Sequence, residues 1–192
     1  MASTYTNTGL ELIATGEQSG TWGTTTNENW ELIEEAVDGV ISIALTATTK
    51  TLTTSDGLSS EGRHKAIKFT GTPGGTCTVT ISPNDMQKLY FIKNASDQTV
   101  TLTQGSGGNV SIVAGAIKYV YCDGAGASAQ VVDLTSGLEL SGIVDASTFK
   151  IDGTEVTASA AELNYVDGVT SNVQTQLDSA NANSLAFAIA LG

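Results

Sequence analysis

Between Ala66 and Leu134 apolar and polar residues alternate in short runs: AIKFT, CTVTI, LYFIK, TVTLT, NVSIV, IKYVYC and QVVDL. A period of two places successive side chains on opposite faces of a strand, so each run presents one face for burial. Turn-forming clusters separate the runs: Thr72-Pro73-Gly74-Gly75, Pro83-Asn84-Asp85, Asn94-Ala95-Ser96-Asp97, Gly105-Ser106-Gly107-Gly108, Ala114-Gly115 and Asp123-Gly124. Glycine, proline, asparagine and aspartate each favour the backbone angles of tight turns. The pattern predicts a mainly β fold, an antiparallel β-sandwich or jelly-roll-like domain at 46–135. Its expected core is Ile67, Phe69, Val79, Ile81, Phe91, Ile92, Val100, Leu102, Ile112, Val120 and Val132.

Helical patterns flank this domain. In the N-terminal arm, residues 1–45, Thr25-x-x-Glu28 is a capping box leading into a helix with Trp30, Ile33, Val37 and Val40 on one side. Glu31, Glu34, Glu35 and Asp38 lie opposite, and Gly39 marks the helix end. Trp22 stands between Gly20 and Gly23. Two tryptophans on so short an arm need another surface to cover them.

At the other end, residues 158–192, Ser159-x-x-Glu162 and Ser171-x-x-Gln174 are two further capping boxes, separated by Gly168. Val173, Leu177, Ala180, Ser184, Phe187 and Leu191 then follow steps of four and three residues, a heptad stripe. A stripe that narrow, among Asn, Gln, Asp and Ser, suits a bundle formed with copies of the same chain. Ala180 and Ser184 make the seam weak, so other contacts must help hold an oligomer. The Gly/Ser/Thr-rich residues 136–157 are expected to be an extended connector.

Charged residues make up only 15% of the 192 positions, against about 25% in typical soluble domains. Twenty acidic and eight basic side chains give a net charge of −12. Such a surface repels nucleic acid, and no Lys/Arg cluster with interleaved aromatics offsets it. Cys77 and Cys122 both fall inside apolar runs, where thiols behave as small buried hydrophobes, consistent with assembly in a reducing cytoplasm. No signal peptide or long apolar span is evident, so membrane insertion is not expected.

Catalytic chemistry finds no foothold in the sequence. The single histidine, His64, lies between Arg63 and Lys65 in a polar loop. Gly105-Ser106-Gly107-Gly108 precedes a strand, which offers no helix N-terminus to an anion. Asp56, Glu61, Asp85 and Asp97 sit singly in turns, without calcium-loop spacing. No catalytic residue, cofactor or metal ligand is expected.

The C-terminal run TEVTASAAELNYVDGVTSNVQTQLD resembles a short segment of tail fibres and related appendages of double-stranded DNA bacteriophages. There a Thr/Ser-Ala-x-Glu-Leu-Asn core precedes Asp-Gly-Val-Thr and a polar helix. The N-terminal run GEQSGTWGTTTNENWELIEEAV is similar to the attachment segment of such proteins, with Trp22, Gly23, Thr24, Asn27, Asn29, Trp30 and Ile33 matching. Glu34 replaces the more usual aspartate. The β-region KLYFIKNASDQTVTLTQGSGGNVSIVAGAIKYVYCDG also resembles their β-domains. The resemblance implies a virion structural protein, a homotrimeric fibre or fibre-like appendage on tail or head, assembled in the host cytoplasm. Trp22, Trp30, Ile33 and Val37 would then dock on other virion proteins. The alternatives are a capsid decoration protein and an adhesin tip that binds a host surface glycan.

Overall fold

The computed structural model describes residues 2–137, 148–151, 154–169 and 171–192. Among the described residues the fold is mainly β, with thirteen strands in four sheets and three α-helices. Contacts divide the chain into two units, Met1–Glu139 and Leu140–Gly192.

The first unit opens with paired strands β1 (Thr4–Tyr5) and β2 (Glu11–Leu12), followed by helix α1 (Trp22–Asp38). Asn29 joins β2 to the helix: its Oδ1 accepts from the Glu11 amide and its Nδ2 donates to the Glu11 carbonyl, both at 2.9 Å. The helix begins earlier than Thr25-x-x-Glu28 predicts, with Thr21 as N-cap and no side-chain cap bond. A backbone turn starts it instead, because the Thr21 and Trp22 amides both bond to the Gln18 carbonyl and satisfy two otherwise open donors.

Nine strands follow: β3 (Val40–Leu45), β4 (Thr49–Thr53), β5 (Ala66–Gly71), β6 (Cys77–Ser82), β7 (Lys88–Asn94), β8 (Val100–Thr103), β9 (Val110–Ile112), β10 (Ile117–Cys122) and β11 (Val131–Asp133). They form a five-stranded sheet, β11-β10-β7-β5-β3, and a four-stranded sheet, β4-β6-β8-β9. The seven runs between Ala66 and Leu134 are all strands. Val40–Leu45 is a strand as well, although Val40 continues the helical stripe of α1 in sequence. Gly39, extended at φ −60° and ψ 130°, ends the helix and releases Val40 into the sheet.

The large sheets are not antiparallel throughout. The pairs β3/β5, β5/β7, β4/β6 and β6/β8 are parallel; only β8/β9, β7/β10 and β10/β11 are antiparallel. From β3 to β8 each connection carries the chain into the other sheet. Each of β3 to β6 therefore pairs with the strand two places on, running the same way. Turn chemistry marks where strands end but not which sheet receives the next one. The Gly105–Gly108 loop does close a hairpin, between β8 and β9.

Buried residues of both sheets belong to one hydrophobic cluster that includes Ile43, Leu52, Ile67, Phe69, Val79, Tyr90, Leu102, Ile112 and Val120. Cys77 and Cys122 are buried free thiols within it. Two expected core residues stand elsewhere: Phe91 is 51% exposed, and Val132 shares its outward register with Tyr121 and Leu89.

A fully buried Arg63 ties the N-terminal elements to the strands. Its Nη2 donates to the carbonyls of Ser55 (2.6 Å) and Leu58 (3.0 Å), and its Nε lies 3.4 Å from Glu35 Oε2 on α1. Gly9 passes so close that a Cβ there would stand 3.0 Å from Nη2. The neighbouring Gly62 carbonyl accepts from Tyr90 Oη (2.6 Å) and Lys88 Nζ (3.0 Å) of β7.

In the second unit, β12 (Lys150–Ile151) pairs with β13 (Thr154–Glu155), followed by α2 (Ala160–Asn164) and α3 (Val173–Leu191). The rest of the 136–157 connector lies largely outside the described residues. Ser159 and Glu162 form the expected reciprocal capping box. The second cap is shifted by one residue: Asn172 Oδ1 accepts from the Gln174 amide, while Ser171 Oγ accepts from Gln176 Nε2.

Candidate functional site

Polar strands show how this chain treats a sheet face meant for water. On the four-stranded sheet, Thr49, Thr78, Thr101 and Ser111 share one register row, and Thr51, Thr80 and Thr103 share the next. These side chains alternate with the buried core positions. Hydroxyl-bearing, β-branched residues satisfy strand preference and hydration together.

The outer face of the five-stranded sheet is built differently. Val40, Ala66, Phe91 and Tyr119 occupy one row, and Leu89, Tyr121 and Val132 another. Val40 is 74% exposed and Ile117 57%. The Phe91 and Tyr119 rings stack tilted, their centroids 4.7 Å apart. A third row holds Ser42, Lys68, Lys93 and Ile117. Lys68 and Lys93 thus stand directly opposite one another on neighbouring strands, an unfavourable placement of like charges. Among the described residues neither has a carboxylate partner; Lys93 Nζ donates to the Gly115 carbonyl. A groove of about 160 Å³ runs between Val40, Lys68, Phe91, Lys93 and Ile117. Sequence pattern missed this face because one apolar face per strand sufficed to explain a core. The visible sign was LYFIK, where four successive apolar residues supply both faces of β7.

Helix α1 carries the predicted docking residues. Leu32 and Thr25 are its buried positions, which leaves Trp22, Trp30 and Val37 exposed and Ile33 half-buried. Trp30, Ile33 and Val37 follow helical spacing along one side, with Trp22 on the first turn. Five carboxylates (Glu28, Glu31, Glu34, Glu35 and Asp38) and no basic residue lie on this helix; helical spacing sets Glu34 and Asp38 beside the Trp30–Val37 stripe and not opposite it as expected, while Glu35 turns to Arg63. Glu31, Glu34, Asp38, Val40 and His64 line a second groove, which meets the sheet groove at Val40.

All six predicted seam residues, Val173, Leu177, Ala180, Ser184, Phe187 and Leu191, lie on α3, and every residue of that helix is exposed. Leu185 and Ile189 are also exposed but lie off the heptad stripe, so the last two turns are apolar around the helix. No described helix is long and apolar enough to cross a membrane. Among the described residues no group of three His, Cys, Asp or Glu side chains is placed to hold a metal ion.

Titration is perturbed mainly by burial in the first unit. Burial, reinforced by Arg63, lowers Lys88 to about 7. The adjoining Cys122 thiol is pushed up to about 12 by burial and by Asp123. Both groups line a groove with Gln87, Leu89, Tyr121 and Asp123, where Lys88 Nζ donates to the Gly62 carbonyl.

Comparison of the chain with protein-family models, curated proteins and solved structures returns no match.

Proposed function

We propose that this protein is a structural component of a bacteriophage particle, a homotrimeric fibre-like appendage rather than a catalyst. The observation that carries the self-association is α3: nineteen residues, all exposed, with a half-exposed Val173 and Leu177 and a largely exposed Phe187 and Leu191 on one stripe. Burying such side chains contributes roughly 1.5–3 kcal/mol each when complete, so several together can offset the entropy of association. The first unit forms the body, a two-sheet sandwich with its strands wound between the sheets. The α1 stripe of Trp22, Trp30, Ile33 and Val37 docks on a neighbouring virion protein. The resemblance of the N- and C-terminal runs to phage appendage segments supplies the biological setting, and virion assembly in the host cytoplasm follows from it.

Sedimentation velocity on the full chain tests self-association. A trimer near three times 19.7 kDa is expected at micromolar concentration. Val173→Asp with Leu177→Asp should yield monomer, because three copies would bring six carboxylates into one seam. A wild-type monomer sinks the proposal. An unchanged oligomer in the double variant removes α3 from it.

An exposed Phe91 beside the half-buried Tyr119 and Tyr121 favours a second reading, in which the five-stranded sheet binds a host glycan by stacking. Glycan-array binding abolished by Phe91→Ala would support that adhesin role. Decoration of the capsid is distinguished by copy number on the particle.

A further inference from the structure

We infer that the outer face of the five-stranded sheet is a docking site for helix α1 of a second copy of this chain. The inference rests on the self-association proposed above and names the surfaces that make it. The sheet offers an apolar groove at Val40, Phe91 and Ile117 beside two opposed, carboxylate-free lysines, Lys68 and Lys93. The helix offers Trp30 and Val37, 64% and 51% exposed, beside Glu31, Glu34 and Asp38. Apolar surface thus meets apolar surface, and the uncompensated lysine pair meets carboxylates.

The alternative of sheet against sheet is disfavoured by the same charges. A two-fold pairing of this face with itself would gather four lysines, and a pairing of α1 with itself would gather its acids. Opposite charges meet only when the sheet of one copy receives the helix of the next. That is a head-to-tail contact, the kind that closes into rings such as trimers. It supplies the additional contact that the weak α3 seam requires. It narrows the docking proposed above for the α1 stripe: Trp30 and Val37, with Glu31, Glu34 and Asp38, go to the neighbouring copy, and Trp22, on the first turn, keeps the contact with the particle. The four-stranded sheet provides the internal comparison: a face left to water in this chain carries threonine, not Phe, Val and Ile.

Charge reversal tests the pairing in the full chain. Lys68→Glu with Lys93→Glu, and separately Glu31→Lys with Glu34→Lys, should each weaken association by about tenfold or more in sedimentation velocity at low salt. The chain carrying all four changes should recover to within about threefold of wild type, since the pairs re-form with exchanged signs. Doubles that associate like wild type, or a quadruple variant no better than the doubles, overturn the inference. Zero-length carbodiimide cross-linking of mixed light and heavy wild-type chains gives a readout independent of mutant folding. Links from Lys68 or Lys93 to Glu31, Glu34 or Asp38 between copies are expected, and an oligomer yielding none of them overturns the assignment. If wild type is monomeric, the self-association reading itself fails. If the oligomer survives both reversals but not Val173→Asp with Leu177→Asp, only the sheet-to-helix contact fails. A glycan bound through Lys68 and Lys93 by an otherwise unchanged oligomer would give the face to a different occupant.

Discussion

Replacing Arg63 with methionine tests whether one buried cation holds the N-terminal elements on the strands. The guanidinium is wholly buried, donates two hydrogen bonds to the Ser55 and Leu58 carbonyls and lies 3.4 Å from Glu35. Its Nε and Nη1 make no hydrogen bond, so the Glu35 contact is chiefly electrostatic. Burial lowers the Arg63 pKa while Glu35 and Asp56 raise it, the pattern of a desolvated charge only partly compensated. Methionine fills much of the volume but strands the Glu35 charge and takes the donor from the Ser55 carbonyl, while the Leu58 carbonyl keeps only its bond from Ser60 Oγ. Removing one partner of a buried pair costs about 3–5 kcal/mol, a large share of the 5–15 kcal/mol typical of a whole domain. With a urea slope of about 2 kcal/mol per molar, the midpoint should fall by about 2 M in far-UV circular dichroism. The two tryptophans are too exposed to report on the core. Adding Glu35→Gln to Arg63→Met should recover at least about 1 kcal/mol by removing the stranded charge. A loss below about 1 kcal/mol in the single variant would refute the reasoning.

Three further outcomes follow from buried or capping groups. Lys88 has a folded pKa near 7, below the unfolded value of about 10.4, so the unfolded chain holds the extra proton between them; its contribution makes stability rise with pH across that window and level off below it. Lys88→Met should therefore stabilise the protein by about 1–2 kcal/mol near pH 7, after allowance for partial solvation and the lost bond to Gly62, and flatten the slope of urea midpoints between pH 7 and 10; an unchanged slope would exclude Lys88 as its source. Asn94 is fully buried and donates to the Gln98 and Ile112 carbonyls at 2.8 Å, so Asn94→Leu should cost about 2–3 kcal/mol in the same unfolding assay, and a neutral result would mean those carbonyls find other donors. Ser159→Ala removes the hydroxyl that accepts from the Glu162 amide and leaves the bond from the Ser159 backbone amide to the Glu162 carboxylate, so helix stability should fall by about 0.5–2 kcal/mol, seen as loss of slow amide exchange at Glu162; retained protection there would show the hydroxyl to be dispensable.

Local chemistry made much of this protein legible in its sequence. All seven strands after Ala66 follow from alternation and turn residues, because both act over a few positions. The Ser159 capping box likewise needs only residues three apart. The tryptophan stripe on α1 and the α3 heptad could be located for the same reason. Strand direction could not: whether the chain turns back or crosses to the other sheet depends on long-range packing, and the four parallel pairings result from crossing. Nor could the role of Arg63, which stands in a polar sequence next to His64. It is buried only because Gly9, Glu35 and the carbonyls after β4 close around it. Phe91 and Ile92, adjacent and both apolar, show the same division. Alternation gives each the same claim to the core, but the pleat admits only one of them, and the sheet's fixed register buries Ile92 and leaves Phe91 on the outer face.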